Sequence, residues 1–313
     1  MAKCIILVFH EINNKLWFQS VLKYLSRSYQ FVSANQLFEI KKGIIPRQNI
    51  CHITFDDGHI SFYQNAYPVL KDLGIPATLF ISPKVITSEK NYWFQRIRNF
   101  NKENFQSYFF NKIQDIFNAP IYNYSIRSIL KSLPIQMILH IIDSYVKINN
   151  IKEQPYMNIT KSQLLELHKS GLIEIGAHTL NHPILANENN DISEFEIKES
   201  INKLQEILRD KVYYFAYPNG QPDVDFGKRE IQILRETDIK LAFSTEENKL
   251  TYDSSNFVIP RIGLSKGNIL YIVQKIRFAK YWDFLRNVRY RKTEKIERRK
   301  LRNLQNKNDF CSR

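Results

Sequence analysis

The sequence predicts an α/β protein with a parallel sheet or barrel inside and helices outside. Three observations carry that expectation. Short apolar runs recur along the chain: "KCIILVF", "ICHITF", "ATLFI", "LIEIGA", "VYYFAY", "LAFST" and "FVIP". Their apolarity is continuous rather than alternating, as in strands covered on both faces. Helical patterns separate them, and "FYQNAYPVLKDLGIPATLF" reads as helix, Gly-Ile-Pro turn and strand, one βαβ step.

A chain of 313 residues with 43% hydrophobic content can bury a full core, so we expect one large domain over residues 1–265. Its first strand, "CIILVF", ends in His10 and Glu11 and is about a third of a spanning length, which fits neither a signal peptide nor a membrane helix. The "ICHITF" strand runs directly into Asp56, Asp57 and Gly58. From about 91 to 156 the pattern shifts to Phe, Asn, Ile and Lys at helical spacing, broken by Pro120, Pro134 and Pro155, which predicts a mostly helical insertion. "LIEIGA" then leads to His178, and "YFAY" precedes Asn219. In parallel α/β folds the carboxyl ends of the strands form the ligand side, so His10, Asp56, Asp57, His178 and Asn219 should converge on one mouth.

Three cysteines, Cys4, Cys51 and Cys311, are too few and too scattered for a disulfide framework or a zinc cluster. Cys4 and Cys51 sit in apolar runs and read as buried thiols. A reducing, cytoplasmic location is the expectation.

The "HTLNH" run sets His178 and His182 four residues apart, within reach of one point. Two neutral imidazoles and a carboxylate form a common catalytic metal set, and Asp57 completes it. Neighbouring residues at a strand end point in different directions, so Asp57 can face a cation while Asp56 faces a water as general base. Gly58 permits the sharp turn that follows. Read alone, Asp-Asp-Gly is as well an ordinary polar turn; the histidines tip the balance toward a site.

"TFDDG" at residues 54–58 together with "HTLNH" at 178–182 resembles the polysaccharide deacetylase family (NodB homology, carbohydrate esterase 4). The approach sequences "GIPATLFISP" and "ITKSQLLELHKSGLIEIGAHT" agree with it, and the resemblance covers most of residues 3–265 apart from the insertion. It implies an irregular (β/α)7 barrel, one divalent cation of the zinc type on Asp57, His178 and His182, and Asp56 as base. The family's third motif, Arg-x-Pro-aromatic-Gly, meets "AYPNG" here, matching only Pro218 and Gly220. Ala216 replaces the arginine that orients the base, and Asn219 replaces the aromatic residue whose backbone N–H holds the oxyanion. Arg261, in "IPRIGL", is a candidate for the missing cation, set against a surface or structural ion pair. The late histidine motif of the general acid is also absent. "LVFHEI" is similar to the first strand of circularly permuted members, which makes His10 the candidate acid, set against a core histidine bonded to backbone. Tyr67, Tyr92, Trp93 and Phe94 are candidates to stack on sugar rings if they reach the cleft, although core packing suits each of them as well.

The implied function is metal-dependent removal of N-acetyl groups from a sugar in a polysaccharide or lipid-linked glycan. Hydrolysis of another amide or ester, or catalytically silent glycan binding, are the alternatives. Residues 266–313 carry 15 Lys and Arg against 4 Asp and Glu, so most of the chain's net charge of +14 belongs to a basic, amphipathic tail. Ile269, Ile272, Val273, Ile276 and Ala279 form a stripe expected to dock on the barrel, with Phe278, Trp282 and Leu285 on the other side. The tail reads either as an interfacial helix drawing the chain to an anionic inner-membrane surface or as a solvated charged helix. No nucleic-acid partner is expected, because no reader motif accompanies the charge.

Overall fold

The computed structural model describes residues 3–117, 120–281 and 292–305. Its centre is a curved parallel sheet in the order β7-β6-β5-β4-β3-β1-β8. These strands are β1 (Cys4–Phe9), β3 (Ile50–Phe55), β4 (Ala77–Ile81), β5 (Ile173–Ala177), β6 (Tyr214–Ala216), β7 (Leu241–Phe243) and β8 (Ile262–Gly263). A short β2 (Gln30–Phe31) pairs with the start of β3. Ile259 bridges Phe243 while Ile262 pairs Leu7, so the stretch entering β8 links the two ends of the sheet into a barrel.

Strand alternation divides the core. Ile5, Leu7 and Phe9 of β1 pack outward with Phe18, Val21 and Leu22 of α1 (Lys15–Leu25), whereas Cys4 and Ile6 join Phe80, Tyr214 and Phe243 in the interior. Cys4 and Cys51 are buried free thiols, and burial pushes Cys4 up to about 12. Local signals fix the helix ends: Asn14 caps α1, and Ser33 with Gln36 forms a capping box on α2 (Ala34–Lys41). The helix of the βαβ step, α3 (Tyr67–Leu73), ends at Gly74 in the left-handed conformation.

Between β4 and β5 lie α4 (Pro83–Ser88), α5 (Trp93–Arg96), α6 (Lys102–Ile113), α7 (Ile126–Leu130), α8 (Ile135–Ile148) and α9 (Lys161–Lys169). Of these, α5 to α8 build a hydrophobic cluster of their own from Phe105, Phe109, Ile113, Ile129, Ile138 and Ile142. The buried Arg96 ties it down, reaching Asp143 at 2.7 Å and also pairing with Glu153.

After β5 come α10 (Asn190–Leu208) and α11 (Lys228–Arg235), and after β8 comes α12 (Ile269–Arg277). Ile272 and Ile276 of α12, with Ala279 beyond it, are buried on the barrel, while Phe278 is 45% exposed. Trp282 and Leu285 lie outside the described residues. The final helix, Lys292–Leu304, is docked on the protein along one face. Its Leu301 is buried in the insertion's cluster and its Arg298 is buried against Asp225. No helix among the described residues is long and apolar enough to cross a membrane.

Candidate active site

Strand register assembles the mouth. Phe9 of β1 pairs Phe55 of β3, and the Asp56 N–H continues the ladder to the Phe9 carbonyl at 3.0 Å. His10 and Asp56 therefore leave adjacent strands side by side, with His10 Nε2 4.0 Å from Asp56 Oδ2. On the other side Ile81 pairs Ala177, and the His178 N–H donates to the Ile81 carbonyl at 3.0 Å. Backbone strain concentrates at the same place. Asp57, Thr179, His182 and Asn219 all have φ between 56° and 69°, a region that side-chain-bearing residues seldom occupy. Gly58 is required as well: at φ 66°, a Cβ there would stand 2.4 Å from Ile81 Cδ1.

Asp57, His178 and His182 each offer a ligand atom, and these atoms lie within 4.8 Å of one another. His178 Nδ1 sits 2.7 Å from the Ala216 carbonyl, which can only accept, so its Nε2 lone pair is left for the site. That Nε2 is 3.6 Å, and His182 Nε2 3.4 Å, from Asp57 Oδ1. Both separations are long for hydrogen bonds, and Asp57 Oδ1 is buried without a hydrogen-bond partner among the described residues. Tetrahedral bonds of about 2.0–2.2 Å set ligand atoms roughly 3.3–3.6 Å apart. The three side chains thus fit a divalent cation. Burial holds His182 down at about 4, keeping its imidazole in the neutral, ligating form.

Arg261 is fully buried and grips Asp56 with both arms, Nη1 to Oδ1 at 2.7 Å and Nη2 to Oδ2 at 2.8 Å. Its Nε donates to the Ser244 carbonyl at 2.8 Å, and its plane lies near the faces of Phe80 and Phe243. Burial pushes the Asp56 carboxyl up, but Arg261, together with His178 and His10, overrides this and brings it down to about 2. The pair is neither a surface contact nor distant from the site. His10 is half exposed at the rim rather than a core histidine.

Pro218, Asn219 and Gly220 form a tight turn just past β6, with the Gly220 N–H donating to the Pro218 carbonyl at 2.6 Å. A Cβ at Gly220 would stand 2.8 Å from the Tyr217 carbonyl oxygen. Of the four aromatic candidates, Tyr67 is buried on α3 and Tyr92 and Trp93 are buried at the start of the insertion. Phe94 alone is partly exposed, its ring 5.1 Å from that of His182. His52 is fully buried in the barrel, bonded to the Val32 carbonyl and Thr78.

Sequence reading missed the supports. Glu196 of α10 accepts the Leu180 and Asn181 N–H groups at 3.0 and 2.9 Å, fixing the turn that carries His182. Thr245 bonds the Asn219 carbonyl through its hydroxyl and donates its N–H to the Gly220 carbonyl at 2.8 Å. A signal existed for the first: Ser193, Glu196 and Ser200 place polar groups on a helix face that is buried.

A family model for polysaccharide deacetylases matches residues 45–106 and 119–242. The chain belongs to the polysaccharide deacetylase family. It is accordingly a hydrolase of carbon–nitrogen bonds with the barrel of that family. The poly-beta-1,6-N-acetyl-D-glucosamine N-deacetylase of Staphylococcus aureus (strain MRSA252) is 26% identical over 268 residues, 82% of this chain and 69% of that one. Among solved structures, IcaB from Ammonifex degensii superposes with a TM-score of 0.60 at 18% identity, covering 90% of this chain and 98% of its own. Streptococcus pyogenes deacetylase PplD in complex with acetate gives 0.59 at 20% identity, covering 84% and 92%. At these identities the structures speak for the fold. The family match ends before Arg261 and begins after His10, so both residues stand on the geometry of this chain.

Proposed function

We propose that this polysaccharide deacetylase removes acetyl groups from N-acetylated hexosamines of a glycan, with beta-1,6-linked N-acetylglucosamine polymer as the first substrate to try, because relatives of similar sequence bear that name. The observation that carries the reading is the Asp56–Arg261 pair set beside the Asp57, His178 and His182 ligand atoms.

A divalent cation, zinc by the nitrogen and oxygen donor set, would be held by Asp57, His178 and His182 and would supply Lewis acidity toward water and the acetamide carbonyl. Asp56, kept ionised by Arg261, takes a proton from the attacking water as the oxygen bonds to the acetamide carbon. The Asn219 backbone N–H donates to the oxyanion, a donor that does not depend on the side chain lost from the third motif. His10, at the rim beside Asp56, delivers a proton to the nitrogen as the carbon–nitrogen bond breaks, giving acetate and a free amine. Phe94, partly exposed beside His182, offers an apolar face on which a sugar ring could stack.

The test is release of acetate and appearance of free amine, in equal amounts, by zinc-supplemented protein on beta-1,6 and beta-1,4 N-acetylglucosamine oligomers and on acetate esters. Equal release from the beta-1,6 oligomers, lost in Asp56→Asn, is expected. Turnover of esters alone would favour a different acyl substrate, and no turnover of any would end the reading.

The place of action is a further part of the proposal. The buried thiols Cys4 and Cys51 suit a cytoplasmic chain, and exposed Leu270, Phe278 and Tyr281 beside Arg277 and Lys280 suit a lipid-linked glycan met at an anionic inner-membrane surface. Sedimentation with anionic vesicles tests this, and unchanged binding after Phe278→Ser with Tyr281→Ser would rule that surface out.

A further inference from the structure

We propose that the C-terminal helix is part of the active-site scaffold and that Arg298 is a positioning residue for the oxyanion turn, acting through Asp225. Arg298 and Asp225 are each at least 97% buried, and Arg298 Nη2 donates to Asp225 Oδ1 at 2.6 Å. The other oxygen, Oδ2, accepts the Gln221 N–H at 2.8 Å, one residue beyond Gly220. The Gln221 carbonyl in turn accepts the Asp225 N–H at 2.8 Å, so the carboxylate and its own backbone clamp both sides of Gln221. Gln221 also fastens the turn to the segment just past β7, its Nε2 donating to the Thr245 carbonyl at 2.7 Å.

A carboxylate buried this deeply needs a charge partner, and among the described residues Arg298 is the cation within salt-bridge distance. Without it, the buried Asp225 carboxylate would lose its partner on Oδ1, and its grip on Gln221 through Oδ2 would loosen. The same helix holds neighbouring loops. Arg302 donates to the Val224 carbonyl at 2.6 Å and to Asn187 Oδ1 at 2.8 Å, the latter in the loop that follows His182. Gln305 reaches the Ser132 carbonyl at 2.7 Å, and Lys131 pairs with Glu294 at 3.0 Å, joining the insertion to the same helix. A segment whose composition reads as a basic, amphipathic tail therefore fixes the spacing of the turn at 218–220, the loop after His182 and the insertion.

This inference rests on the assignment of the Asn219 N–H as oxyanion donor, so its test has one arm independent of activity. In the full chain, Arg298→Met should raise amide hydrogen exchange at 219–221 by about tenfold and lower kcat roughly 10–100-fold, with KM and zinc affinity unchanged. Arg298→Lys, which keeps a cation on Asp225, should recover part of both losses. Leu25→Ala, a cavity under α1 in the cluster that does not include the final helix, controls for general destabilisation and should keep kcat. Wild-type exchange at 219–221 in Arg298→Met would overturn the coupling. Raised exchange with undiminished kcat would overturn the catalytic role of the turn, as would an equal loss of kcat in Leu25→Ala.

Discussion

To serve as the proposed base, Asp56 would have to stay ionised in a place where burial favours the neutral acid, and Arg261 resolves that conflict. Removing the guanidinium leaves burial as the largest influence, which acts upward. For Arg261→Gln the acid limb of the kcat/KM profile should therefore move to higher pH, measured with zinc saturating. An unmoved limb would mean that Asp56 does not titrate as the base. The variant should also lose stability, by about 3–5 kcal/mol, because a buried carboxylate is left unpaired. His10→Ala should lower turnover about 10²–10⁴-fold while zinc affinity holds, and near wild-type turnover would remove His10 from the mechanism. Asp57, His178 and His182 are legible in sequence because two short motifs carry them. Arg261 is legible only as a candidate, since its partner lies 205 residues away and only the closure of the barrel brings the two together.

At the scale of elements, the strand runs and the helical stretch between about 91 and 156 are visible in the sequence, because continuous apolarity and helical spacing are local properties. The docking of the final helix is not. Its Leu301 and Leu304 contacts, its buried Arg298 and its half-buried Arg302 look like surface residues until the insertion's cluster, Asp225, Val224 and Asn187 are placed opposite them. The seam between insertion and barrel carries its own titratable group. Glu188 is buried, accepts the Ile135 N–H at 2.8 Å, and burial raises its carboxyl from 4.5 to about 7. A carboxyl whose folded pKa exceeds its unfolded one stabilises the fold most below the unfolded value, and that contribution is lost as pH rises through the folded value. Urea stability should accordingly decline between pH 4.5 and about 7, and Glu188→Gln should flatten that stretch of the curve. An identical slope in the variant would place the titrating group elsewhere.

For the molecule as a whole, the family match and the chemistry divide along the chain. Residues 45–106 and 119–242 carry the family pattern, including Asp56, Asp57, His178 and His182. The flanks outside that match carry the remaining pieces: His10 just past the first strand, Arg261 before the last, and the final helix behind the turn at Asn219. Ala216 in place of the third-motif arginine is consistent with that division, since a guanidinium arriving from Arg261 occupies both oxygens of Asp56. The central claim is that these pieces surround one metal centre. It is tested most directly by a crystal structure of the zinc-loaded protein with anomalous data collected at the zinc edge. The account predicts one strong peak at the mouth of the barrel, bonded at about 2.0–2.2 Å to a carboxylate oxygen of Asp57 and a ring nitrogen each of His178 and His182, with Asp56 still held by Arg261. A zinc peak elsewhere, with none among these three residues, would contradict it.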